Sequence, residues 1–147
     1  MNIIVDTDAL LALINSADSL HAKAKALLAA MFTQEVQLFL LPTTLSEFSL
    51  IAASRVGLNQ TKAVVEIFTE GTNHQMIEID KELINSAVKL FRKQTSKEES
   101  LFDSFVMAAT VRYTYDAIFS FDKGYLKKIN AGLKLKLVSD LFPNINW

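Results

Sequence analysis

Three short apolar runs, NIIV at residues 2–5, VQLFLL at 36–41 and AIFSF at 117–121, constrain this chain more than any other feature. None keeps the strict apolar–polar alternation of a sheet with one wet face, so each reads as a strand covered on both sides. The stretches between them carry apolar residues at helical spacing. Leu10, Leu11, Leu13 and Ile14 mark a helix over residues 7–15, and HAKAKALLAAMF marks a second, with Ser19 or Asp18 as its cap. Pro42 stops the second strand, and Thr43 or Thr44 is expected to cap a helix that carries Leu45, Phe48, Ile51 and Ala52 on one face and ends near Gly57. A further helix from Asn59 to Gly71 turns Val64, Ile67 and Phe68 inward, residues 76–79 form a third strand, and Asp80 caps the helix that follows. A long helix from Ser100 to about Tyr115 leads into the fourth strand. Beyond it come a short helix from Lys123 to about Asn130 and an edge strand at 135–138.

Strands that alternate with helices throughout predict an α/β fold, with a mainly parallel sheet covered on both faces. The 147 residues suit a single domain spanning 1–147. Lys and Arg number 15 against 16 acids, a net charge of −1, so the chain cannot hold a polyanion by bulk attraction and any such ligand must be bound locally. It has no cysteine, which excludes disulfides, thiolate zinc sites and thiol catalysis. The start lacks the features of a signal peptide, and no apolar run approaches the roughly 18 residues of a membrane span. A cytoplasmic protein with no membrane role is expected.

In a parallel sheet every strand points the same way, and the helix after each strand begins at the C-terminal edge. Asp6 ends the first strand and Asp122 the fourth; Glu47 lies early in the helix after the second, and Asp103 in the first turn of the helix leading into the fourth. All four are therefore expected at one edge, where open α/β sheets bind ligands at a topological switch point. Carboxylates gathered in one crevice repel each other unless a cation neutralises them. Oxygen ligands without His or Cys suit Mg²⁺ or Mn²⁺, and such a site serves phosphodiester hydrolysis. Asp8 stands beside Asp6 as a supporting or helix-start acid, and Glu98 and Glu99 lie near enough to Asp103 to be outer members of the cluster.

Each acid also has a structural reading. Helix dipoles and capping favour acids at helix starts by about 0.3–1 kcal/mol, which accounts for Asp8 and Asp103 without any ligand. Glu47, three residues after Thr44, fits a capping box, and Asp122 fits a turn before Lys123 and Gly124. His21 and His74 have no partner at ligand spacing. Lys123, Lys127, Lys128, Lys134 and Lys136 suit a phosphate backbone or simply a solvated face.

Taken in order, IIVDTDALLAL, LPTTLSEFSLIAASR, SLFDSFVMAAT and AIFSFDKGY resemble the PIN-domain nucleases, and within them the VapC-type toxins of toxin–antitoxin pairs. The resemblance implies a three-layer α/β/α sandwich with a central sheet of four to five strands. It further implies a Mg²⁺- or Mn²⁺-dependent endoribonuclease in which Asp6, Asp103 and Asp122 hold the metal and Glu47 completes the catalytic cluster. Ser120 stands where the family has a Thr or Ser that orients the last carboxylate or a phosphate. Asp8 departs from the pattern, since the family usually has Ser, Thr or Asn there. A homodimer, an RNA substrate and a small antitoxin that blocks the crevice are implied as well. Two alternatives remain: a catalytically silent PIN-like module that binds RNA or protein, and a haloacid-dehalogenase-like phosphatase suggested by the DTD run. Against the phosphatase, Leu10 stands where Thr or Val should follow, and paired late acids are absent.

Overall fold

A computed structural model describes residues 1–95, 99–125 and 135–145. Four strands, β1 (Asn2–Val5), β2 (Gln37–Leu40), β3 (His74–Met76) and β4 (Ala117–Phe119), form one sheet in the order β3-β2-β1-β4, and every pairing is parallel. The chain steps outward from β1 to β3 and then jumps back to place β4 beside β1. The strand order therefore reverses at β1, and a crevice opens beyond its C-terminal end.

Alternation along the strands sorts the core into two halves. Ile3, Val5, Leu38, Leu40 and Phe119 pack with α1 (Thr7–Ile14), α2 (His21–Thr33) and α3 (Pro42–Arg55). Ile4 and Ile118 point the other way, against Leu83 and Ala87 of α5 (Lys81–Phe91) and Phe105 to Ala109 of α6 (Leu101–Arg112). The result is the expected helix–sheet–helix sandwich, with α4 (Leu58–Glu70) on the outside of α3 and a short α7 (Val138–Leu141) after β4.

Several local expectations are corrected. Pro42 does not merely end β2: it opens α3, where its missing N–H costs nothing, with Leu41 as the extended cap residue and no side-chain cap from Thr43 or Thr44. The cap of α2 is Leu20, not Ser19 or Asp18; the Asp18 carboxylate instead accepts from the Leu20 amide (2.9 Å) and turns the chain into the helix. The third strand lies at His74–Met76, two residues earlier than expected, and only Ile77 N–H extends its ladder, to Leu40 O (2.9 Å). Thr61, Val64, Val65 and Phe68 face inward on α4, while Ile67 is 64 % exposed. The edge strand expected at 135–138 reduces to one parallel bridge between Leu137 and Ile118, because Val138 already starts α7. Asp80 does cap α5, accepting from the Leu83 amide at 2.8 Å. Glu98, Lys127, Lys128, Lys134 and most of the helix expected from Lys123 to Asn130 lie outside the described residues.

Candidate active site

The crevice beyond β1 is built first around Asp6. Its amide completes the ladder to Phe119 O (3.1 Å), which fixes the backbone against β4. As the N-cap of α1, its Oδ1 accepts from the Thr7 amide (2.8 Å), and Oδ2 accepts from the Tyr125 hydroxyl (2.9 Å). The residue is 4 % exposed. Burial, and after it the charge of Asp8, push its pKa up to about 8, against the partial relief given by the Thr7 amide.

One step along α1, Asp8 reaches across to the segment after β4. Its Oδ2 accepts from the Phe121 amide (2.8 Å), and the nearby Ser120 hydroxyl favours its charged form. Ser120 Oγ in turn accepts from the Asp122 amide (3.0 Å), so Asp8, Ser120 and Asp122 form one chain of contacts. Burial is the main cause that raises the Asp8 pKa to about 6, and its Oδ1 is buried with no hydrogen-bond partner. Asp8 thus stands in the first turn of α1 and holds the backbone of the segment that leads to Asp122.

Glu47, in the second turn of α3, takes its hydrogen bond from the Thr7 hydroxyl at 2.5 Å and not from a capping box with Thr44. Burial raises its pKa, and the charge of Asp103 adds to the rise. Asp103 is the third residue of α6 and closes a capping box: Ser100 Oγ accepts from its amide (3.2 Å), while the Ser100 amide and hydroxyl both donate to its Oδ2 (2.5 and 2.9 Å). Asp122 lies three residues past β4 and is exposed; its Oδ1 accepts from the Gly124 amide (2.7 Å). A Cβ at Gly124 would stand 3.1 Å from both carboxylate oxygens, so a side chain there would press the Asp122 carboxylate aside by a few tenths of an ångström.

One cavity of about 360 Å³ is lined by Asp6, Asp8, Glu47, Asp103 and Asp122, by apolar Leu11, Leu20 and Ile51, and with Asp18 and Arg55 also on its wall. A smaller recess joins Asp103 and Asp122 to Glu99, the expected outer member. Thr7, Tyr125 and Arg55 are the site residues that sequence reasoning missed. Two are hydroxyls that carry no charge to set them apart, Thr7 between two aspartates and Tyr125 among lysines, and the third reads as an ordinary helix-end cation.

The donor set suits a hard divalent cation: six carboxylates, no thiol or imidazole, a buried oxygen without a partner, and burial and mutual charge that hold three of the acids above their ordinary range. Among the described residues, however, no three acids or histidines are gathered tightly enough, as their side chains are turned, to enclose one ion. Asp103 and Asp122 spend oxygens on the local donors of Ser100 and Gly124.

A parallel α/β/α domain with acids at its switch point is the class that fold and site define. The PIN domain family profile matches residues 3–131, and the chain belongs to that family. Among solved structures, it is similar to VapC20 of Mycobacterium tuberculosis, described as a sarcin-ricin loop cleaving toxin, with a TM-score of 0.77 and 21 % identity over 86 % of this chain and 94 % of that one. It is also similar to VapBC-1 from nontypeable Haemophilus influenzae, with a TM-score of 0.64 and 15 % identity over 93 % and 96 % of the two chains. No curated protein matches it.

Proposed function

We propose that this protein is a metal-dependent endoribonuclease, working with Mg²⁺ or Mn²⁺, and the toxin of a toxin–antitoxin pair. The observation that carries the reading is the meeting of six carboxylates from five separate segments in one crevice at the switch point, one of them 4 % exposed. Stability alone gives no reason for such a gathering, since burying and crowding carboxylates costs free energy. Family membership and the likeness to VapC20 supply the direction: hydrolysis of an RNA strand, with a small antitoxin as partner. The implied homodimer and the cytoplasmic setting belong to the same reading.

Asp6, Asp103 and Asp122 would hold the ion, with Glu47 completing the set. When bound, it supplies positive charge for the scissile phosphate and a nucleophilic water near neutral pH. The chain's own residues prepare this. Asp6 is immobilised by its cap and by Tyr125, and Glu47 is oriented by Thr7. Asp8 and Ser120 set the height of the Asp122 backbone beside β4. Leu11 and Ile51 give the crevice an apolar lining beside the acids.

The capping box that occupies Asp103 favours a second reading, a silent PIN module that binds RNA without cutting it. Incubating a mixed RNA pool with Mg²⁺ or Mn²⁺ separates the two. Cleavage by the wild type that is lost in Asp6→Asn supports the nuclease, and equal cleavage by both proteins, or none by either, removes it.

A further inference from the structure

The cavity that holds the acids does not end with them. Glu47, Ile51 and Arg55 follow one another at intervals of four along α3, so they lie on one face of the helix, and all three line the cavity. A rise of 1.5 Å per residue puts Arg55 roughly 12 Å along the axis from Glu47. Leu11, Leu20 and Ile51 add an apolar lining to the same cavity. Arg55 is the cation on this wall among the described residues, it is exposed, and it makes no ion pair there. Asp18 shares the cavity, but its Oδ1 is taken by the Leu20 amide and it does not approach the guanidinium as a salt bridge.

From this layout we infer that Arg55 is a substrate-positioning residue, which binds a phosphate of the RNA strand beyond the one held at the acids. The inference rests on the nuclease reading. A chain with a net charge of −1 needs a local cation to hold a polyanion. A guanidinium presents a fork that fits phosphate oxygens in two parallel hydrogen bonds. About two helical turns from Glu47 on the wall of the same cavity, the guanidinium is placed to meet a phosphate further along the strand from one seated at the acids. The apolar lining offers a surface to the intervening base or ribose. The groove is therefore built for an extended single strand laid along α3, with the cut at one end and an anchor at the other. As a residue of the last turn, Arg55 also favours the helix dipole, a purely structural role that the test must separate.

Labelled single-stranded RNA is cleaved by wild type, Arg55→Lys and Arg55→Gln over a range of salt, alongside thermal melts and anisotropy measurements of binding. Arg55→Gln is expected to raise KM by about tenfold with kcat nearly unchanged, and to lower the slope of log KM against log salt by about 0.7. Arg55→Lys should recover the salt slope and part of the affinity, as a point charge replaces the fork. A dinucleotide substrate, which carries no phosphate beyond the scissile one, should be cut equally by all three proteins. Cleavage by the wild type with an unchanged KM and salt slope in Arg55→Gln overturns the subsite alone. So does a variant that loses thermal stability and kcat with KM unchanged, which marks a structural role. A wild type that binds RNA without cutting it, with binding weakened by Arg55→Gln, overturns the nuclease reading and keeps the subsite. A wild type that neither binds nor cuts RNA overturns both.

Discussion

A carboxylate that is 4 % exposed and close to the charge of Asp8 is held in its ionised form only at a cost, and Asp6 shows where that cost falls as pH changes. Its pKa rises from 3.8 in the unfolded chain to about 8 in the fold. Below about pH 4 both states keep the proton and the fold suffers no penalty. Between about pH 4 and pH 8 the unfolded chain gives up a proton that the fold retains, so stability falls across that window and levels off above it. Asp8, raised to about 6, adds to the fall in the lower half. Melts in chelator should show the Tm of the wild type decreasing over this range. Asp6→Asn keeps a competent N-cap and removes the charge, so it should flatten the profile and gain on the order of a few kcal/mol near pH 8. A flat wild-type profile, or an Asn variant less stable than the wild type at pH 8, would contradict this reading of Asp6. The acids were legible in the sequence because charge interrupts apolar runs. Tyr125 and Thr7 were not, because a hydroxyl buried beside a carboxylate looks the same in sequence as one buried in a core.

The segment after β4 depends on α1 as much as on its own strand. Asp8 holds the Phe121 amide beside the Ser120 hydroxyl, and Ser120 holds the Asp122 amide, so the backbone of Asp122 is set from the first turn of another element. Residues that orient ligands from behind typically contribute 10- to 100-fold to metal affinity. Asp8→Asn and Ser120→Ala are therefore each expected to weaken Mn²⁺ binding by about 10-fold or more. Their effects should not add in the double variant, since they break the same chain of contacts. Additive losses, or wild-type affinity in both single variants, would reduce Asp8 to a helix-start charge. Element boundaries that depend on local chemistry alone, such as the Asp80 cap, follow directly from the sequence. Those decided by packing do not. Pro42 stops a strand or starts a helix with equal local propriety, and Ile67 is exposed because α4 turns Thr61, Val64 and Phe68 to α3 instead.

The parallel sheet explains why acids more than a hundred residues apart meet. β1 lies between β2 and β4, so the ends of strands one and four and the helices after β2 and before β4 open on the same crevice. That arrangement was readable from the alternation of apolar runs with helical periodicity. The turn of each side chain was not: the Asp103 carboxylate accepts from the Ser100 amide and that of Asp122 from the Gly124 amide, choices made by local donors and not by the fold as a whole. On the proposed reading a divalent ion would take the free oxygens of these two carboxylates or draw them from their donors, and relief of the repulsion among the acids would favour its binding. Titration calorimetry of the metal-free wild type with Mn²⁺, run beside Asp6→Asn and Asp122→Asn, examines that step without RNA or turnover. Saturable binding in the wild type that both substitutions abolish is the expected result; heats that are absent in the wild type, or that persist unchanged in the two variants, would show that these acids do not form a metal centre.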